Sequence, residues 1–353
     1  MNWNNEVTRL LNIQYPFIQA PMLVVTTPQM VTAACEAGCL GSLPLGYSSL
    51  EKARDNIRAV KALTSKPFSV NVFAYKRPES IDKKNVPVLH SFYQKYEVSF
   101  PEHLPEGDPY TYYTDLIDLF LEEGIKVISF HFGLPEPTVI KRLKSDGVIL
   151  MATATSVREA VLVQEAGMDI VIAQGIEAGG NRGTFIEDQR PEIGLIALIP
   201  QICDAVNIPC IAAGGLMQPR SIASALLLGA SGVQLGSLFL RSAESGATAS
   251  WKKAVVASSD ETTVLTRVWS GKYGRCIPTA LVKEVKEEEI FPSPIQQYLT
   301  SQLREEGRKK DIEDIQSLWA GQAAHYAENK GTREILQDLI KDTGELLTKP
   351  FRF

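Results

Sequence analysis

The chain repeats one pattern eight times: a short apolar segment followed by a stretch with the spacing of an amphipathic helix. The apolar segments are continuous, which is typical of parallel strands that are buried on both faces. Eight such units predict a parallel sheet covered by helices, and the repeat number favours a closed (β/α)8 TIM barrel over an open doubly wound sheet. No Gly-x-Gly-x-x-Gly motif follows the first predicted strand, Ile13–Ala20, so the dinucleotide-binding signature of an open sheet is missing.

The repeating pattern is interrupted in two places. Between residues 74 and 110, prolines and mixed charge surround one short predicted helix, and this insertion is either a lid or a surface excursion. After residue 248 the pattern changes again. We therefore predict a barrel domain at 1–248, a smaller and mostly helical domain at 249–324 that forms a substrate domain or lid, and a C-terminal segment at 325–353 whose helix returns to the barrel.

Composition argues against several classes of function. The 353 residues carry a formal net charge of −5 without clustered Lys and Arg, so neither nucleic acid nor an anionic membrane is an expected partner. No apolar run approaches the length of a membrane span, and the N-terminus lacks the pattern of a signal peptide. The five cysteines lie mostly in apolar segments, as expected of reduced thiols in a cytoplasmic protein. No His or carboxylate cluster has the spacing of a metal site.

Glycines follow three consecutive predicted strands, in Val171–Gly183, Ile208–Leu216 and Gly232–Ser237. Backbone N–H groups at glycine-rich turns bind anions, and a serine adds a hydroxyl donor. The residues expected to form such a site are Gly214, Gly215, Gly236 and Ser237. Because barrels commonly bind a phosphate at the ends of their last strands, the junctions indicate one phosphorylated ligand held from several sides.

Three polar side chains lie at the carboxyl ends of predicted strands. Asn71 and Gln174 carry amides that can donate and accept in the plane of a heteroaromatic ring, although either amide can also be purely structural. His131 ends the fourth strand, where it is either a catalytic or a structural group. Glu177 and Arg182 are expected to order the glycine loop. No Gly-x-Ser-x-Gly motif points to acyl transfer.

Five motifs, in this order, resemble those of the nitronate monooxygenases, formerly called 2-nitropropane dioxygenases. They are Gln-Ala-Pro-Met at 19–22, Val-Asn-Val-Phe at 70–73, Ala-Gln-Gly-Ile-Glu-Ala-Gly-Gly-Asn-Arg-Gly at 173–183, Ala-Ala-Gly-Gly at 212–215 and Gln-Leu-Gly-Ser at 234–237. Two tail segments, Ser270-Gly271 with Arg275 and Ser317–Ala324, are similar to the class I enzymes of that family. The resemblance covers essentially the whole chain.

The resemblance implies an FMN-dependent barrel enzyme with a helical substrate domain. The implied reaction is the oxidation of alkyl nitronates by O2 to a carbonyl compound and nitrite. These small molecules are the expected partners, and a homodimer is a further expectation. The backbone at Ala20–Met22 would lie against the isoalloxazine ring. The expected FMN-binding residues are Ala20, Pro21, Met22, Asn71, Gln174, Gly179, Gly180, Gly214, Gly215, Gln234, Leu235, Gly236 and Ser237.

One position departs from the family's pattern. The family usually has a histidine after the Gly-Gly pair, where a catalytic base would lie, but this chain has Asn181. An amide has no useful basicity near neutral pH, so it cannot remove the Cα proton of a neutral nitroalkane. It can donate a hydrogen bond to a nitro oxygen, and a nitronate is already deprotonated. We therefore expect activity on nitronates, with weak or no activity on neutral nitroalkanes unless His131 serves as the base.

Two other functions are compatible with the same residues. One is an FMN-dependent NAD(P)H reductase of enoyl or quinone substrates on the same fold, which would be recognised by rapid bleaching of its flavin by NADH or NADPH without oxygen. The other is a non-catalytic flavoprotein in which Asn181 marks a lost active site. Such a protein would consume no nitronate under air.

Overall fold

Eight parallel strands form a closed barrel in the computed structural model, which describes residues 1–77, 86–101, 105, 107–186 and 192–349. The strands are β1 (Phe17–Gln19), β2 (Gly41–Pro44), β3 (Phe68–Phe73), β4 (Val127–His131), β5 (Ile149–Ala154), β6 (Ile170–Gln174), β8 (Cys210–Ala213) and β9 (Gly232–Leu235), while the short strand β7 (Gly180–Asn181) belongs to a second sheet. They pair in the order β1, β9, β8, β6, β5, β4, β3, β2. Between β1 and the start of β2, Gln19 N donates to Leu40 O at 2.8 Å and closes the ring. The predicted (β/α)8 TIM barrel is confirmed.

Helices cover the outer face of the barrel. They are α2 (Pro28–Glu36), α3 (Leu50–Leu63), α5 (Tyr113–Glu122), α6 (Pro137–Ser145), α7 (Val157–Glu165), α8 (Leu195–Ala205), α9 (Pro219–Leu227) and α13 (Thr332–Thr348). Thr27 caps α2 by accepting from Met30 N at 3.1 Å, with Pro28 at the first helical position. The C-terminal helix α13 packs against α9 and α2, in the place of the helix that would follow the last strand. Within the described ranges, no helix is long and apolar enough to cross a membrane.

Apolar side chains fill the amino-terminal part of the barrel. Helix α1 (Glu6–Leu11) lies at this end, because Asn5 Nδ2 donates to Ser231 O, just before β9, at 2.6 Å. Two residues of α1 pack with inward-facing strand residues: the cluster contains Val7, Leu11, Ile18, Leu40, Val127, Met151, Ile170, Ile172 and Ile211. The carboxyl ends of the strands remain open for a site.

A smaller unit packs on the barrel. Its antiparallel sheet pairs β10 (Val264–Thr266) with β11 (Gly274–Cys276) and β11 with β7. Its helices are α4 (Pro87–Lys95), α11 (Ala280–Glu284) and α12 (Ile295–Lys310). Helix α4 comes from the predicted insertion, and its Phe92 shares an apolar core with Trp269 and Leu299. Parts of that insertion, residues 78–85, 102–104 and 106, lie outside the described residues.

Two local features differ from the expectations drawn from the sequence. Helix α10 (Ala249–Ala257) packs with the barrel side, since Trp251 shares a core cluster with Phe239 and Leu336. The glycine-rich stretch interpreted as a loop contains the strand β7, in which Asn181 pairs with Gly274 of β11. Sequence periodicity cannot reveal a pairing between segments so far apart in the chain. Strand β7 therefore connects the barrel to the smaller unit directly above the strand ends.

Candidate functional site

A cavity opens at the carboxyl ends of the barrel strands. It contains about 1230 Å³ of space free of protein atoms, part of it continuous with solvent. The residues predicted from the sequence all line it: Ala20, Pro21, Met22, Asn71, His131, Gln174, Gly179, Gly180, Asn181, Gly214, Gly215, Gln234, Leu235, Gly236 and Ser237. The fold thus brings these residues together, while the role of each one stays a prediction.

One end of the cavity is a backbone cradle. The N–H groups of Gly215, Gly236 and Ser237 donate to no acceptor within the part of the chain that the structure describes. Gly215 has a φ of +67°, a left-handed conformation that glycine adopts without strain. Unpaired backbone N–H groups at tight turns are suitable partners for a phosphate.

The indole of Trp251 lines the same cavity. Its side chain is 1% exposed and packs with Leu238 and Leu240, directly after the cradle. Among the described residues, its Nε1 has no hydrogen-bond acceptor. A buried donor without an acceptor costs about 1–3 kcal/mol, a cost that a ligand oxygen would offset. Sequence reasoning missed Trp251 because it lies on α10 rather than at a strand end.

Residues 319–324 close over the cradle. Gly321 N donates to Ser237 Oγ at 2.9 Å, and Gln322 N donates to Glu177 O at 3.0 Å. A Cβ atom at Gly179 would lie 2.5 Å from backbone atoms of Ala320 and Gly321, so the two chain segments touch. No part in the site was predicted for the motif at 317–324.

Hydrogen bonds of the side chains of Gln19 and Thr26 hold the backbone that follows β1. Gln19 is fully buried; its Oε1 accepts from Ser42 N at 3.2 Å and its Nε2 donates to Thr26 Oγ1 at 3.0 Å. Thr26 Oγ1 in turn accepts from Met22 N at 3.0 Å. These bonds hold Ala20–Met22 along one wall of the cavity.

Asn71 presents a hydrogen-bond acceptor to the cavity. Its Nδ2 donates to Ser129 Oγ at 2.9 Å and to Ser129 O at 3.2 Å, across the β3–β4 pair. Its Oδ1 has no donor among the described residues, so this oxygen is left for an N–H group of a ligand. Ser129 is a site residue that sequence reasoning missed, since its role is to accept the hydrogen bonds that orient Asn71 on β3.

Gln174 is turned into the glycine loop. Its Nε2 donates to Asn181 O at 3.0 Å, and its Oε1 accepts from Gly183 N at 2.8 Å. Arg182 Nη1 donates to Gly175 O at 2.6 Å. Burial lowers the pKa of Arg182 to about 10, so the guanidinium is charged at neutral pH. The amide expected to contact a ring ligand therefore also holds the segment that contains Asn181.

Asn181 faces the cavity with its side chain tied to the smaller unit. Its Oδ1 accepts from Ser270 Oγ at 2.9 Å, and its Nδ2 has no acceptor among the described residues. An amide N–H pair at this place can donate to an oxygen of a bound molecule but cannot remove a proton from carbon.

His131 hydrogen-bonds the backbone of the same loop. Its Nε2 lies 3.2 Å from Asn181 O, and because a carbonyl only accepts, Nε2 carries the proton. Its Nδ1 lies 3.0 Å from Thr153 Oγ1 and accepts from that hydroxyl. Burial lowers the pKa of His131 to about 4, the positive charges of Arg182 and Lys272 act in the same direction, and the bond to Asn181 opposes them. The imidazole is neutral at physiological pH.

Backbone strain and aromatic packing occur next to His131. Phe132 has a φ of +67°, a conformation that costs a bulky residue about 1–3 kcal/mol. Its ring lies 4.9 Å from that of Phe73, which lines the cavity, and Lys272 Nζ lies 5.6 Å from its centroid. This side of the cavity thus combines aromatic walls with a nearby positive charge.

Comparison with known proteins finds one matching family and several similar relatives. A sequence-family model described as nitronate monooxygenase matches residues 4–342. A probable nitronate monooxygenase of Staphylococcus saprophyticus is 38% identical and aligns over 99% of this chain and 100% of its own length. One from Staphylococcus aureus is 36% identical over 98% of this chain and 99% of its own.

Two solved structures share the fold along their whole length. Nitroalkane oxidase from Streptomyces ansochromogenes has a TM-score of 0.84 and 34% identity, with 97% of this chain and 98% of that chain covered. FabK from Thermotoga maritima has a TM-score of 0.78 and 28% identity, with 98% and 97% covered.

Proposed function

This chain belongs to the nitronate monooxygenase family, and from that premise we propose that it oxidises alkyl nitronates with O2, using FMN, to a carbonyl compound and nitrite. The observation that carries the proposal is the hydrogen bonding of Asn181 and His131. At the cavity wall, the first offers hydrogen-bond donors and the second is a neutral imidazole with both nitrogens engaged. Such a site suits a substrate that arrives already deprotonated.

The residues present fit FMN. The N–H groups of Gly215, Gly236 and Ser237, which have no acceptor among the described residues, would hold the phosphate, together with the indole Nε1 of Trp251. The isoalloxazine ring would lie along the 20–22 segment, with its polar edge on the free oxygen of Asn71. When bound, FMN supplies the oxidation chemistry, taking electrons from the nitronate and passing them to O2.

Asn181 is the group proposed to bind the nitronate. A nitronate carries its negative charge on two oxygens, and hydrogen bonds to charged oxygens are about twice as strong as those between neutral groups. The amide Nδ2 of Asn181 provides such donors at the cavity wall. Lys272 adds a positive charge on the same side, beyond the ring of Phe132.

His131 is not proposed as a base. A base must have a free nitrogen lone pair within reach of the proton it removes. The Nδ1 lone pair of His131 is occupied by the hydroxyl of Thr153, and its Nε2 is a donor to Asn181 O. With a pKa of about 4 the imidazole is also a weak acceptor of protons. The neutral nitroalkane therefore lacks a catalyst for its ionisation.

Comparing the two ionisation states of one substrate tests the proposal. Oxygen consumption is measured with the FMN-loaded protein on freshly prepared ethylnitronate and on neutral nitroethane at the same concentration. Rapid uptake with ethylnitronate and nearly none with nitroethane is expected. Equal rates with both forms would mean that the protein supplies a base and would refute the role given to Asn181.

An anaerobic experiment separates the reductase alternative. NADH, NADPH and ethylnitronate are mixed separately with the oxidised holoprotein, and the flavin absorbance is followed. If only ethylnitronate bleaches the flavin, the result supports nitronate oxidation. If only NADH or NADPH bleaches it, the protein is a reductase. A protein that binds FMN and responds to none of the three would be a non-catalytic flavoprotein.

A further inference from the structure

We propose that Ser270 is a positioning residue that makes the cavity select the anionic form of its substrate, an inference that rests on the function proposed above. Ser270 lies in the connection between β10 and β11, and Asn181 lies in β7. The hydroxyl of Ser270 and Oδ1 of Asn181 are 2.9 Å apart. The contact thus spans the junction between the smaller unit and the barrel.

The backbone of Asn181 has little freedom. Its carbonyl accepts from Gln174 Nε2 at 3.0 Å and from His131 Nε2 at 3.2 Å, and its strand pairs with Gly274 of β11. The direction in which its side-chain amide points is the remaining variable. That direction decides whether the cavity meets a pair of N–H donors or a carbonyl oxygen.

Ser270 is the side chain that hydrogen-bonds the amide. Its single proton has two acceptors in reach, Asn181 Oδ1 at 2.9 Å and Lys272 O at 3.1 Å. Lys272 N donates to the same hydroxyl oxygen at 3.3 Å and occupies one of its lone pairs. In the structure the hydroxyl donates to Oδ1, so Oδ1 faces Ser270 and Nδ2 is left on the cavity side.

Opposite amide orientations would act oppositely on an anion. With Nδ2 towards the cavity, the amide donates to the negatively charged oxygens of a nitronate. A reversed amide would bring a carbonyl oxygen against those oxygens and repel them. Ser270 therefore controls the affinity for the anion, whereas electron transfer does not depend on it.

Alanine and threonine variants of Ser270 test this role. In the FMN-loaded enzyme, Ser270→Ala should raise the KM for ethylnitronate about 10-fold, the effect of one charge-assisted hydrogen bond, with kcat changed by less than about twofold. Ser270→Thr keeps the hydroxyl and should restore the wild-type KM. Ser301→Ala is the matched control, because Ser301 lies on α12 of the same unit and its hydroxyl donates to Tyr298 O of the same helix. The FMN affinity should be equal in all four proteins.

A second background separates positioning from general structural damage. In an Asn181→Ala protein the amide is gone, so adding Ser270→Ala should have no further effect on KM. An equal loss in both backgrounds, a fall in kcat at constant KM, or a matching loss in Ser301→Ala would overturn the inference. If wild-type protein consumes no ethylnitronate, the proposed function itself fails; if it does and Ser270→Ala behaves as wild type, only the role of Ser270 fails.

Discussion

Nδ1 of His131 lies 3.0 Å from Oγ1 of Thr153, and this contact turns the histidine into a structural support for the glycine loop. The opposite nitrogen donates to the carbonyl of Asn181. The imidazole is therefore held as one neutral tautomer between β5 and β7. Its position at a strand end predicts a catalytic or a structural role, and its hydrogen bonds show that it supports the backbone carbonyl of Asn181 at the cavity wall.

The pH dependence of nitronate turnover follows from this assignment. Because the pKa of His131 is lowered to about 4, the histidine stays neutral across the physiological range. The kcat/KM for ethylnitronate should therefore show no break with a pKa near 6.5, the value of a free histidine. A profile of kcat/KM against pH in wild type and His131→Gln checks this. A break near that value that disappears in His131→Gln would show that the imidazole titrates during catalysis.

The stability of the fold should fall in acid for the same reason. The folded-state pKa of His131, about 4, lies below 6.5, the value of a free histidine, so between these values the unfolded chain binds a proton that the folded chain does not. Protonation then favours unfolding, at a cost of about 2 kcal/mol near pH 5. Urea unfolding of the apoprotein across this window should show the loss. The slope should be smaller in His131→Gln, and equal slopes would contradict the assignment.

Asn181→His should restore a base. Position 181 lines the cavity, and an imidazole there has the basicity that the amide lacks. Oxygen uptake with neutral nitroethane is expected to rise at least about 10-fold, a cautious lower bound because general-base catalysis typically contributes about 10²–10⁴-fold. Asn181→Gln, which changes length without adding basicity, is the control. A variant as inactive on nitroethane as wild type would mean that position 181 does not reach the substrate carbon.

Much of the site could be predicted because its residues lie at strand ends. The carboxyl end of each strand is visible as the point where an apolar run stops, and parallel strands bring those ends together. Asn71, Gln174 and His131 were found in this way. The same rule applied to the fifth strand would have found Thr153, which lines the cavity beside His131.

The remaining contacts come from segments beyond the repeating pattern. Ser270, Trp251 and Gly321 lie after the last barrel strand, and their positions depend on how the smaller unit and the tail fold back over the cavity. Pairing of β7 with β11 sets that approach, and it joins segments distant in sequence. Neither periodicity nor turn chemistry specifies such a pairing, because both describe local structure only.

Trp251→Phe should weaken binding of FMN and leave binding of riboflavin unchanged. The substitution removes the unpaired indole donor while keeping a buried ring, and only FMN carries the phosphate that would accept from it. Loss of a hydrogen bond to a charged group predicts about a 10-fold rise in Kd for FMN by fluorescence titration. Trp269→Phe is the control, since Trp269 is as deeply buried as Trp251 but lies in the core of the smaller unit. Equal weakening for both flavins would place the indole away from the phosphate.

The neighbouring glycines Gly179 and Gly180 should respond differently to alanine, because they are required for different reasons. At Gly179 a Cβ atom would meet the backbone of residues 320 and 321 at 2.5 Å, so the segment that bonds Ser237 must move. Gly180 has open space around it but a φ of +75°, which costs alanine about 1–2 kcal/mol. Urea unfolding and FMN titration of the two variants separate these effects. Gly180→Ala should lower the stability and change the FMN affinity by less than about threefold. Gly179→Ala should lower the stability and also weaken FMN binding at least about 10-fold, because it displaces a hydrogen-bond partner of the cradle. Similar FMN affinities in both variants would show that the 319–324 segment does not support the cradle.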